Sequence, residues 1–98
     1  MTQQQKEARE ILVFAIERGY PAWVKIALEH GAPVNRSLLD DAIDGRMIKK
    51  WQTRIEILKI LLPKVETLSD SDKKNLIVIA ESGKLPEVAA FLKSEFSM

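Results

Sequence analysis

The sequence predicts an all-α chain of paired helices, on three observations. Apolar residues recur at three- and four-residue spacings along nearly all 98 positions; the four glycines and four prolines punctuate those stretches; and the first pair of stretches returns near the end. From Lys6 to Arg18 the apolar set is Ala8, Ile11, Leu12, Ala15 and Ile16, closed by Gly19 with Pro21 opening the next helix. That second helix, from about Pro21 to His30, is expected to bury Trp23, Val24, Ala27 and Leu28, with Gly31 just past its end and Pro33 beyond. A third, short helix over Ser37 to Asp44 takes Ser37 as its cap and Leu38, Leu39, Ala42 and Ile43 as its inner side.

After Gly45 the residues Ile48, Trp51, Ile55, Leu58 and Leu62 follow at spacings of three and four as far as Pro63. They predict a lengthened fourth helix of ~17 residues spanning ~25 Å. Val65 to Asp70 is a connector, and Ser69 with Asp72 forms a capping box for a helix ending at Gly83. The last helix, Leu85 to about Phe96, carries Pro86 in its first turn and is expected to bury Val88, Ala89, Phe91 and Leu92.

Leu12 to Gly19 matches Leu76 to Gly83 position by position, and Val24 and Leu28 match Val88 and Leu92, at a constant offset of 64 residues. Two units of ~33 residues give that offset. Leu39, Ala42, Ile43, Ile57, Leu58, Leu61 and Leu62 supply a distorted middle copy.

Leu12-x-x-Ala15-Ile16-x-x-Gly19, followed by Trp23-Val24-x-x-Ala27-Leu28-x-His30-Gly31-Ala32-Pro33-Val34-Asn35, resembles the ankyrin repeat. The likeness is strongest over residues 12–35, good over 76–92 and weak over 38–62. It implies one domain over residues 1–98, with three antiparallel helix pairs in units of about 5–35, 36–67 and 68–98. The family's Thr-Pro-Leu-His signature does not occur, and only four positions separate Asn35 from Leu39, so the projecting hairpins are expected to be shortened. Extra residues between Ile43 and Ile57 interrupt the middle unit. The resemblance implies a binding module without catalytic machinery.

Composition narrows the function classes. Fifteen Lys and Arg against 14 Asp and Glu leave a net charge of +1, which gives no global field to draw nucleic acid or membrane. Without cysteine there is no disulfide, thiolate zinc site or cysteine nucleophile. The start lacks a basic segment followed by an apolar one, and no apolar run approaches the ~20 residues of a membrane span. A cytoplasmic protein is expected.

The stretch Arg46 to Arg54 stands out because Arg46, Lys49, Lys50 and Arg54 share about two helical turns with Trp51. It has two readings. One is a contact surface, Trp and Arg being enriched among residues that dominate interfaces, with Tyr20 as an outlying member at the first inter-helix turn. The other is that Ile48 and Trp51 continue the apolar stripe while the cations are solvated.

Other patterns fail on mechanism. Asp40-Asp41-Ala42-Ile43-Asp44 spells the metal-diphosphate motif of terpenoid synthases, in a chain too short for their cavity. Asp70 to Glu81 has the length of a calcium loop, but Lys74 and Asn75 occupy a ligand position and the turn glycine's position. His30 is the sole imidazole, and there is neither a nucleophile elbow nor a phosphate-binding glycine loop. No enzyme activity, metal or cofactor is expected. The leading function is a protein-interaction module of the adaptor, inhibitor or immunity type. The alternatives are nucleic-acid binding through Lys49, Lys50 and Arg54, and a homo-oligomer formed through Ile48, Trp51 and Phe96.

Overall fold

The computed structural model describes residues 2–65 and 68–97. Glu66 and Thr67 of the expected connector, with the unit boundary at residue 67, lie outside the described residues, as do both terminal methionines. The helices are α1 (Gln3–Arg18), α2 (Pro21–Glu29), α3 (Arg36–Asp44), α4 (Trp51–Leu61), α5 (Asp70–Ser82) and α6 (Pro86–Glu95), and a 3-10 turn (Leu62–Lys64) follows α4. No strand occurs among the described residues.

Local chemistry sets the ends. Thr2 and Gln5 close a capping box at the start of α1, and Ser69 and Asp72 close another on α5. Pro21 and Pro86 open α2 and α6, where a missing N–H costs nothing. At α3 the expected cap shifts by two residues. The Asn35 side chain accepts from the Leu38 N–H at 3.3 Å, and Ser37 donates its hydroxyl to Asn35 at 3.0 Å.

The helices lie in two rows. α1 packs against α2 and α3, α3 against α4 and α5, and α5 against α6, while α4 touches α2 and α6. The result measures 38 × 28 × 16 Å, one helix pair deep. Each row contributes one stripe to a continuous apolar interior that includes Leu12, Ile16, Leu39, Ile57, Leu76 and Leu92. None of the buried side chains among the described residues is polar or charged. No described helix is long and apolar enough to cross a membrane.

The repeat offset differs from the sequence alignment by one residue. The Tyr20 N–H reaches the Ala15 carbonyl (2.9 Å) and the Leu85 N–H reaches the Ala80 carbonyl (2.9 Å), so the two turns correspond at 65 residues. Gly19 takes the left-handed position in the first turn (φ +75°), but in the second Lys84 takes it (φ +58°) and Gly83 is an ordinary residue at φ −81°. The glycine match at 64 is therefore out of step with the backbone. The shift also brings Pro21 onto Pro86.

The lengthened fourth helix is not observed. α4 has 11 residues, ~16 Å, and residues 46–50 are not helical. The reason is phase: nine residues at ~100° each would set Ile48 about half a turn from Ile57, away from the interior. Breaking the helix at Lys50 instead lets Ile48 into the core, where it is 4% exposed. Phe91 in α6 and Phe96 just past its end are half-buried. Phe91 lies beneath the Lys59 ammonium (6.0 Å) and Phe96 beneath Lys73 (5.7 Å).

Candidate functional site

The segment joining α3 to α4 carries Arg46, Lys49 and Lys50, with Trp51 and Arg54 following in the first turn of α4, and three features give it its shape. Gly45 ends α3 where an added Cβ would stand 2.8 Å from the Asp41 carbonyl oxygen. Ile48 then folds inward, its branches against Gly45 and against Gly19 of the α1–α2 turn. Beneath them the Arg54 guanidinium donates Nη1 to the Ile43 carbonyl and Nη2 to the Ile48 carbonyl, the second at 2.6 Å. These bonds supply the carbonyls at the end of α3 and within the loop with a charged partner.

Burial lowers the Arg54 pKa from its ordinary value, and the nearby Asp44 carboxylate opposes that shift. Arg54 thus leaves the set of exposed cations expected from the sequence. What remains outward on the loop is Arg46, Met47, Lys49 and Lys50, followed by Trp51 at the first position of α4. Met47 is 56% exposed and Trp51 39%.

Tyr20 packs toward α1. Its ring centroid lies 6.2 Å from that of Phe14, which also has the Arg18 guanidinium 5.0 Å above it. Ile48 of the loop and Thr53 of α4 meet the Gly19 turn, and Trp51 lies about 200° around α4 from Thr53. Tyr20 is thus next in sequence to the glycine on which the loop packs, with its ring beside Phe14. His30 is exposed at the end of α2, where its N–H reaches the Ile26 and Ala27 carbonyls.

The α1–α2 surface is larger than the sequence indicated. Ile11 and Trp23, expected in the core, are 39% and 52% exposed, and Phe14 is 50% exposed. With Glu7 and Glu10 they line an open groove of about 520 Å³. A signal was present for one of them, since Phe14 falls off the Ala8–Leu12–Ala15 stripe.

A group of acids gathers along the row of α1, α3 and α5. Glu17, Asp40, Asp41 and Asp44 surround a hollow of about 170 Å³ beside Gly45 and Ile79. Burial, then the charges of Glu17, Asp40 and Asp44, push the Asp41 carboxyl above its ordinary range. Among the described residues no three His, Asp or Glu side chains are arranged to hold a metal ion. No protein-family model, curated protein or solved structure matches the chain.

Proposed function

We propose that the chain is a non-catalytic protein-interaction module, a degenerate three-unit ankyrin-like stack that binds a folded protein partner in the cytoplasm as an adaptor, inhibitor or immunity-type factor does. The observation that carries the reading is the held loop. Arg54 grips its backbone from beneath and Ile48 anchors it, and Met47 and Trp51 stand outward among Arg46, Lys49 and Lys50. Holding the backbone that carries them before binding removes an entropic cost that a flexible loop would incur on contact. Trp and Arg supply much of the energy of protein interfaces, and the cations favour a partner with an acidic rim. Two rows of helices, each pair against the next, are the arrangement expected of such a stack.

The test is retention of a partner from nuclease-treated lysate of cells that express the protein, comparing wild type with a Lys50→Glu, Trp51→Ala variant of equal helicity. A protein held by the wild type alone supports the reading. A partner lost on nuclease treatment, with binding that falls steeply with salt, points instead to nucleic acid on Arg46, Lys49 and Lys50. Equal retention by both proteins removes the loop from the site.

A further inference from the structure

We infer that the chain self-associates head to tail, the α1–α2 groove of one copy receiving the α5–α6 face of the next. Both ends of the rows are grooves lined by one helix pair alone. At the first end Ile11, Phe14 and Trp23 project, with Glu7 and Glu10 beside them. At the second, an open groove of about 350 Å³ has small residues, Pro86, Ala89 and Ala90, flanked by Lys84 and Lys93. No described residue of α3 or α4 lines either groove.

Three features make the two ends complementary. Aromatic side chains project at one end, and at the other Pro86, Ala89 and Ala90, with Leu85 as the one large apolar residue of the lining, leave a trough for them. The linings of the two grooves oppose in charge: Glu7 and Glu10 line the first, with Lys6 and Arg9 in the neighbouring hollow, and Lys84 lines the second. Glu81 lies beside the second groove but is held by Lys93 at 3.5 Å, and Lys84 forms no ion pair among the described residues. Finally, each pair within the molecule already packs against the next, α1–α2 on α3–α4 and α3–α4 on α5–α6, so an added copy continues both rows. The contact joins different surfaces and leaves one of each free, and it therefore extends into a series of species instead of stopping at a dimer.

Sedimentation velocity of the full chain from about 10 μM to about 1 mM tests this. The weight-average mass should rise continuously past that of a dimer. Trp23→Glu spoils the first end and Ala90→Arg the second. Both positions are exposed, so the fold should persist, and circular dichroism checks it. Each variant alone should need at least about tenfold more protein to associate. Mixed in equal amounts, the two should form a heterodimer and nothing larger, because one intact groove of each kind remains. A Glu10→Lys, Lys84→Glu double variant should restore association lost in either single change.

A wild type monomeric at the highest concentration overturns the inference. So does a dimer abolished by Trp23→Glu but indifferent to Ala90→Arg, which would show the first groove pairing with itself. A Met47→Ala, Trp51→Ala variant should assemble as the wild type does, so failure of the loop reading is distinguishable from failure of this one.

Discussion

The Arg36 guanidinium donates to the Asp72 carboxylate over 2.9 Å, so the first residue of α3 is tied to the first turn of α5. Asp72 also accepts from the Ser69 N–H at 3.3 Å, completing the capping box. The Ser69 backbone and side-chain hydrogen bonds, with a further contribution from Arg36, hold the Asp72 carboxyl below its ordinary value of 3.8. A lowered folded-state pKa gives stability that is present above 3.8 and lost as pH falls through the folded value. Asp72→Asn should therefore be less stable than wild type near neutrality, with a gap that closes below pH 3.8. Urea unfolding at a series of pH values measures the gap, and one that stays open under strong acid would contradict the assignment.

Asp41 should behave in the opposite sense. Its pKa is raised, so its contribution favours the fold below 3.8 and is lost as pH rises through the higher folded value. Asp41→Asn removes a charge that Glu17, Asp40 and Asp44 oppose, and should raise Tm at pH 7. The advantage should vanish in acid. Thermal unfolding at both ends of the range checks it.

At Lys84 the backbone adopts φ +58°, a conformation that disfavours any side chain. Lys84→Gly is expected to stabilise by roughly 0.5–1 kcal/mol. Gly19→Ala is the converse. It forces a Cβ into the left-handed region and to within 3.2 Å of Ile48 Cγ1, so it should cost more than about 1 kcal/mol. Chemical denaturation of the two variants should move the midpoint in opposite directions.

Removing the Arg54 clamp should loosen the loop while sparing the helices. Arg54→Met keeps much of the side chain's bulk but leaves the Ile43 and Ile48 carbonyls without their charged donor. A loss of about 1.5–3 kcal/mol is expected. Amide exchange should quicken over residues 45–50 more than in α1 or α2, and partner retention should weaken with no change at Lys50 or Trp51.

The helices were legible because each buries one stripe, and a stripe leaves a period in the sequence. Several caps made by neighbouring residues were legible too, but not that of α3, which falls on Asn35 and not on Ser37. Thus Gly19, Gly31, the prolines opening α2 and α6, and the Ser69–Asp72 box stand as the residues indicate. Features set by distant contacts were not. Ile48 keeps a helical spacing to Trp51, but the contacts that decide its conformation come from Gly19 and Arg54. Ile11 and Trp23 sit on a pair whose described neighbours lie on one side only, so a periodicity that marks core in an inner pair marks surface here. At the second turn Gly83 invited the left-handed position that the hydrogen bonds assign to Lys84.

The packing order of the helices bears on how the chain finds its fold. α1 meets α2, and α5 meets α6, across turns of very few residues, so each outer pair closes with little loss of chain entropy. The middle pair is joined by the longer 45–50 segment and touches both outer pairs. Two hairpins can therefore form early and separately, and the docking of α3 and α4 makes them one cooperative body. Such a route relies on sequence-local contacts and belongs to the microsecond-to-millisecond class of folders. A substitution in the middle pair, Leu58→Ala for instance, would slow that docking, whereas one at Leu12 would act on a hairpin before the halves had met.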